Sequence, residues 1–382
     1  MSDQVVVWGT YDVCKPRVRI ALEALKRLDR EVIEIHAPVW NGIEDKSQIR
    51  GAGKKLMLVL GWLGKYPGLV RRFLRAPKDA LVIVPYLGHF DVLVLYPFAK
   101  MRGMTVVWDA FISLYGTVVE DRELISRRNP VAWVIYAFEW LATRAVDLVI
   151  LDTNAHAHYF KQRFGLSDRD LATVFVGVEQ ERFPLLEPIK EKPAGEPLTV
   201  LFYGQFIPLH GIPTIVEAAS KLDDGSISWV LIGSGQEQAK VESMLSANPV
   251  RHLTWVPWVE YEELIEWISR SDLCLGIFSD SEKAGRVIPN KLFQVLSAGR
   301  PLVTRDSSAI HELFSDREEG IYLVPPADSK ALVETIRLFA RERAKYISRP
   351  LYESVRCRIG VEGISRQIQE RVFNGLANDI AP

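Results

Sequence analysis

Cysteine is scarce. Cys14, Cys274 and Cys357 are far apart, with no CxxC or Cys/His spacing, so neither a disulfide framework nor a structural zinc site is expected. So small and odd a count fits a reducing compartment, with all three as packing residues. An excess of either charge is also missing. The 47 basic and 48 acidic residues leave a net charge of −1, which gives no global basic field for nucleic acid. No apolar run is long and unbroken. Leu81–Ala99, "LVIVPYLGHFDVLVLYPFA", is nearly long enough to span a bilayer, but Pro85, Gly88, His89, Asp91 and Pro97 divide it into a buried strand, a turn and a helix. The opening "MSDQVVVWGT" enters a strand at once, without the basic and apolar regions of a signal peptide, so a cytoplasmic location is expected. Neither a paired-carboxylate nor a Ser/His/Asp constellation can be found, and the full GxGxxG is absent.

What the chain does hold is strand–helix alternation, in two series. Hydrophobic residues make up 48% and charged residues 25%, as in a soluble globular protein, and 382 residues suit two domains. "QVVVWG", "EVIEIHAP", "ALVIVPY", "MTVVWDAF", "VDLVILDT" and "TVFVGV" are short, β-branched and continuously apolar, with helical stretches between them. Such strands belong to a parallel sheet covered on both faces. "PLLEPIKEKPAGEPL" (Pro184–Leu198), rich in proline and charge, reads as a linker. The second series, "LTVLFYG", "SWVLIGSG", "HLTWVPWV", "LCLGIF", "PLVT" and "GIYLVPP", reads as another doubly wound domain. The expected fold is α/β, with Rossmann-like domains over 1–185 and 186–348 facing a cleft. A helical segment, 349–382, is expected to cross back to the first domain.

Ligands of such sheets bind beyond the carboxyl ends of the strands. In the second domain those ends deliver Gln205 to Gly211, then Gly233 and Gly235, whose backbone N–H groups at a helix start can approach an anion. Trp258 and Val259 offer a backbone edge to a planar base, and serve equally well as core residues. "SDSEKAGR" brings Lys283 and Arg286 just ahead of a helix N-terminus, where a cation opposes the helix dipole unless an anion is shared. The helix itself, within "GRVIPNKLFQVLSAGRPLV" (Gly285–Val303), is expected to start at Pro289 and end at Gly299. It carries Lys291 and Gln294 one turn apart on its more polar side. The "DRD" of Asp168–Asp170 sits in a polar loop and reads as solvated.

Taken in order, "FYGQFIPLHGI", "VLIGSG", "VPWVEYEEL", "IPNKLFQVLSAGRPLVT" and "GIYLVPPAD" resemble the retaining, GT-B-fold glycosyltransferases of family 4, and the likeness covers nearly the whole length. "WGTYDVCKPRVRI", "WDAFISLYGTVVEDR" and "VDLVILDT" look like a bacterial subgroup acting on surface polysaccharides or related glycoconjugates.

The resemblance implies that the second domain holds a nucleotide-sugar, UDP- or GDP-linked, with no other cofactor and no metal. The basic pair that neutralises the diphosphate would fall at Gln205 and His210, so Arg286 and Lys291 are expected to supply charge instead. The E-x7-E carboxylates would fall at Arg286 and Gln294, and neither is acidic. Gln294 could still hold the ribose, because an amide both accepts and donates. Gly9, Thr10, Gly233, Gly235, Trp258, Val259 and Asn290 complete the expected donor contacts, and Arg17 the acceptor contacts. Asp109 is the first candidate for a catalytic contact and His89 the second.

A glycan or polyprenyl-linked acceptor is expected. Lys54–Arg75 and Arg127–Arg144 combine basic clusters with Trp, Leu and Val, and suit peripheral contact with an anionic membrane at the inner face; they suit amphipathic helices covering the first sheet equally. Two other readings stay open: a binding or regulatory protein that has lost catalysis on this scaffold, and a nucleotide-sugar epimerase.

Overall fold

The computed structural model describes residues 3–39, 52–193, 195–314, 318–347 and 350–380, with backbone alone at 52–56 and 378–380. Two six-stranded sheets account for the apolar runs, and every strand pair in both is parallel. The first holds β1 (Gln4–Gly9), β2 (Glu31–His36), β3 (Leu81–Val84), β4 (Val106–Asp109), β5 (Leu148–Leu151) and β6 (Leu171–Thr173) in the order β2-β1-β3-β4-β5-β6. Its helices are α1 (Pro16–Lys26), α2 (Ala52–Leu63), α3 (Tyr66–Phe73), α4 (His89–Arg102), α5 (Pro130–Arg144) and α6 (Asn154–Phe164). Local chemistry sets their ends. Asn129 accepts from the Val131 N–H ahead of α5, Thr153 accepts from the His156 N–H ahead of α6, and α4 and α6 stop at left-handed Gly103 and Gly165. Helices α3 to α6 bury one side of the sheet in a single cluster around Trp8, Val84, Trp108 and Leu151.

The second sheet holds β7 (Leu198–Tyr203), β8 (Ile227–Ile232), β9 (Leu253–Val256), β10 (Leu273–Leu275), β11 (Leu302–Arg305) and β12 (Ile321–Val324), ordered β12-β11-β10-β7-β8-β9. With it go α7 (Ile212–Lys221), α8 (Gln238–Ala247), α9 (Leu264–Arg270), α10 (Glu282–Arg286), α11 (Asn290–Ser297), α12 (Ser308–Leu313), α13 (Ser329–Glu342) and α14 (Glu353–Ile359). The strand order reverses between β7 and β10. That switch point is where an open α/β sheet leaves room for a ligand.

The chain divides into two compact units, 1–119 with 123–176 and 361–382, and 120–122 with 177–360. The division falls at 176/177, ahead of the proline-rich linker. Residues 177–186 already hydrogen-bond within the second unit, through Val178 N–H to the Ile359 carbonyl (2.9 Å) and Leu186 N–H to the Ala298 carbonyl (3.2 Å). At the far end α14 stays with the second unit, while α15 (Val361–Ile368) packs on α1 in the first. Arg371, farther on, donates to the Thr173 carbonyl at 2.9 Å.

Candidate functional site

In the second unit the predicted donor residues gather beyond β7, β8 and β10. The turn after β7 is built by close approach. Gly204 stands at φ +140, and a Cβ there would lie 3.0 Å from Lys291 Nζ and 3.1 Å from His210 Cε1. Gly211 (φ +65) has the backbone of Phe278 and Ser279 against it, with a hypothetical Cβ 2.4 Å from the Ser279 nitrogen. Gly233 (φ +138) faces the Gly204 carbonyl at 1.9 Å, and Gly235 (φ +153) the Phe206 carbonyl at 2.8 Å, by the same measure. No other residue fits these positions. Together they press the turns after β7, β8 and β10 against one another.

Lys291 is the centre of this region. It lies in the first turn of α11, is 95% buried, and its Nζ has no hydrogen-bond partner among the described residues. The ammonium lies 3.7 Å from the centroid of the Phe202 ring. Burial holds its pKa well below the ordinary lysine range. His210 is buried beside it, and its Nδ1 is bonded to the Gln205 carbonyl. Burial first, and then the neighbouring Lys291, push the imidazole well below its ordinary pKa, so it is neutral. The Gln205 side chain is exposed, and so is Trp258 (63%); Val259 is half-buried. At this strand end Trp255 is half-buried; it stacks on Phe206 at 5.3 Å and donates to the Gly233 carbonyl at 2.8 Å.

Helix α11 begins one residue later than expected. Pro289 is its N-cap (φ −64, ψ 148), Asn290 is its first residue, and left-handed Gly299 (φ +69) follows it. Lys291 and Gln294 do share a side, yet that side is buried. Gln294 Oε1 accepts from the Tyr203 hydroxyl at 2.9 Å, and its Nε2 donates to the Tyr261 hydroxyl at 3.2 Å. Tyr261 in turn donates to Glu179 Oε2 at 3.2 Å. Neither tyrosine nor Glu179 stood out in the sequence, although Tyr203 is the last strand residue before Gly204. The two other cations carry carboxylate partners: Lys283 Nζ lies 3.4 Å from Asp121, and Arg286 lies 3.8 Å from Glu120. Among the described residues no group of three or more His, Cys, Asp or Glu is placed to hold a metal ion.

Residues 197–341 match the family described as Glycosyl transferases group 1. The match runs from β7 into α13 of the second unit. The amylovoran biosynthesis glycosyltransferase AmsK of Erwinia amylovora is 24% identical over 194 residues, 49% of this chain and 46% of that protein. The chain spans less than half the length of the curated relatives it matches. Among solved structures, the sucrose-phosphate synthase of Thermosynechococcus elongatus matches at TM-score 0.69 and 16% identity, over 98% of this chain and 99% of that one. Anabaena HepE in complex with UDP and glucose matches at TM-score 0.64 and 16% identity, over 97% and 99%. The fold is GT-B.

All the donor residues from Gln205 to Gln294 lie inside the matched stretch; the remaining candidates lie in the first unit, and each is engaged there. Arg17 clamps Asp109 with two bonds, 2.9 and 2.8 Å, and a further nitrogen serves the Val174 carbonyl at 2.8 Å and the Phe175 carbonyl. Both ends of the pair are buried against α15 beside a void of about 20 Å³, room for one water. In this arrangement Asp109 and Arg17 tie β1–α1 to β4 and to the segment after β6. Gly9 (φ +137) abuts the Asp91 carboxylate, which also accepts from Thr10 N–H (3.0 Å), Thr10 Oγ1 (3.0 Å) and the Tyr66 hydroxyl (2.6 Å). Burial raises the Asp91 pKa, and these donors work against it. His89 opens α4, buried edge-on to Trp108, with Nε2 3.4 Å from Glu139. Glu139 is fully buried and holds Ser113 Oγ, Leu114 N–H and Tyr115 N–H at 2.8–3.0 Å, fixing the segment that follows β4. Asp91 and Glu139 were passed over in the sequence because each sits in an otherwise apolar helix.

Proposed function

We propose that the protein is a glycosyltransferase that moves a sugar from a UDP- or GDP-linked donor to a glycan or polyprenyl-linked acceptor hydroxyl, with retention and without a metal. The observation that supports this best is Lys291: a buried ammonium with no described hydrogen-bond partner, beside the glycine turns of the stretch that matches group 1 glycosyl transferases. A cation held so far from water is costly unless an anion arrives to share it. The donor diphosphate is that anion. Lys291 and the free N–H groups at the start of α11 stabilise it as it leaves, while the anomeric carbon gains positive charge. The acceptor hydroxyl attacks from the same face, and the departing phosphate takes its proton, so no protein nucleophile is needed. Gln294, held in orientation by Tyr203 and Tyr261, meets the ribose.

Thermal shift against UDP-, GDP-, ADP- and dTDP-sugars tests the reading. One nucleotide class is expected to raise the melting temperature of the wild type and not of Lys291→Met; no response to any of them refutes it. A second reading, nucleotide-sugar binding without transfer, is favoured by the commitment of Asp109 to Arg17 and by Gln294 in place of an acid. Binding with neither transfer nor slow donor hydrolysis would decide for it.

A further inference from the structure

Exposed apolar side chains are concentrated on one part of the molecule. Among the described residues eighteen large apolar side chains stand exposed, and twelve of them lie on α2, the end of α3, α4 and α5. The whole second unit contributes three, Leu185, Trp258 and Leu338. On α5 the exposed set is Val131, Trp133, Val134, Trp140 and Leu141, with 131/134 one turn apart and 133/140 and 134/141 two turns apart, so it lies on one half of the helix. Trp133 is 68% exposed. Helix α2 adds Met57, Val59, Leu60 and Leu63, and α4 adds Tyr96 and Met101, the last 80% exposed. Tyr66, Leu69 and Phe73 of α3, Leu95 of α4 and Ala142 of α5 are buried in the one cluster that covers this side of the first sheet, and Trp62 of α2 packs against it. Their outward sides therefore face solvent on the same side of that sheet.

On the helices of this layer exposed charge has one sign. From Ala52 to Arg75 there is no acidic residue; α4 has only Asp91 and α5 only Glu139, and both of these are buried. The exposed charges on these helices are cations, with Lys65, Arg71 and Arg75 around α3 and Lys100 on α4; Arg127 and Arg128 lie just ahead of α5, and the exposed acids Asp79, Glu123 and Asp147 are confined to the loops that flank the helices. Solitary exposed apolar side chains need no explanation, but a set of them on helices whose exposed charges are all basic does. A second copy of the chain would bring cation against cation across a two-fold axis, which disfavours self-association.

We infer that the outer face of α2–α5 docks on an anionic lipid bilayer. The exposed α5 set enters the interface, with Trp133 and Trp140 at headgroup depth, and the arginines on either side meet lipid phosphates. The assignment is independent of the donor site, so its test reads lipid binding and not transfer.

The full chain is sedimented with phosphatidylcholine vesicles with and without phosphatidylglycerol, alongside Trp133→Ser/Trp140→Ser and Arg127→Glu/Arg128→Glu variants. Both pairs are exposed or half-exposed, and a thermal melt confirms that each variant remains folded. Wild type is expected to partition onto the anionic vesicles and to release with salt. Each double variant should bind at least about tenfold more weakly, and brominated lipid should quench the tryptophan emission of the wild type more than that of Trp133→Ser/Trp140→Ser. No binding to anionic vesicles, or binding unchanged in both variants, overturns the inference. So does a concentration-dependent dimer that Trp133→Ser/Trp140→Ser abolishes in the absence of any vesicle binding.

Discussion

Lys291 can be recognised in the sequence as a cation where the helix dipole opposes one, but its burial cannot. That depends on Gly204 leaving no Cβ above it and on Phe202 beneath it, both set by the pairing of β7 with β10. The depressed pKa has a definite sign. Below the ordinary value of 10.5 the unfolded chain takes the proton more readily than the folded one, so the buried ammonium costs stability at low pH and less as pH rises toward 10.5. Lys291→Met should therefore stabilise the unliganded protein by about 1–3 kcal/mol, most at low pH, while losing the nucleotide response; denaturant melts across pH check it. A bound diphosphate restores the ordinary pKa, so binding should take up protons, seen as a calorimetric enthalpy that varies with the buffer. Asp109 illustrates the opposite case. Its place at the end of β4 is readable from the apolar run, but its partner is 92 residues away in sequence and only the fold brings Arg17 to it. Asp109→Ala should cost about 3–5 kcal/mol, the scale of one charge left buried without its partner, and Asp109→Asn less. Equal melting of both variants and wild type would remove the tethering role.

The helix that punctuation marked was legible: α11, from Pro289 and Gly299. Pro289 was misplaced by one position, because an extended proline can cap a helix as well as open it. The short α10 and α12 were not anticipated, since five or six residues carry no period to read. Between elements, the decisive contacts are those of glycine. Gly211 links the end of β7 to the backbone after β10, with a left-handed φ of +65 and no room for a side chain. Gly211→Ala should destabilise the protein by more than about 1 kcal/mol and abolish nucleotide binding; an unchanged melt would show that the two turns can separate.

Over the whole molecule, the two parallel sheets were legible, because buried strands of such a sheet are continuously apolar, but the sixth strand is Leu171–Thr173 and not the apolar "TVFVGV" (Thr173–Val178) read for it. The division between the units was not. Residues 177–186 are polar and proline-bearing like a linker, yet they bond to the Ala298 and Ile359 carbonyls. A helical return to the first domain was expected over 349–382; the first unit takes up the chain at 361, and its partner α1, more than 330 residues earlier, could not be read from the sequence. The first unit is thus a host, interrupted by the second as a nearly contiguous guest. The guest can be cut out in one piece and the host cannot. A fragment of 177–360 should fold alone and keep its nucleotide-dependent stabilisation, whereas a chain stopped at 360 should lose the cover of α1 and open its first unit to protease. The same topology makes 176 and 360 the natural junctions for splicing in another guest.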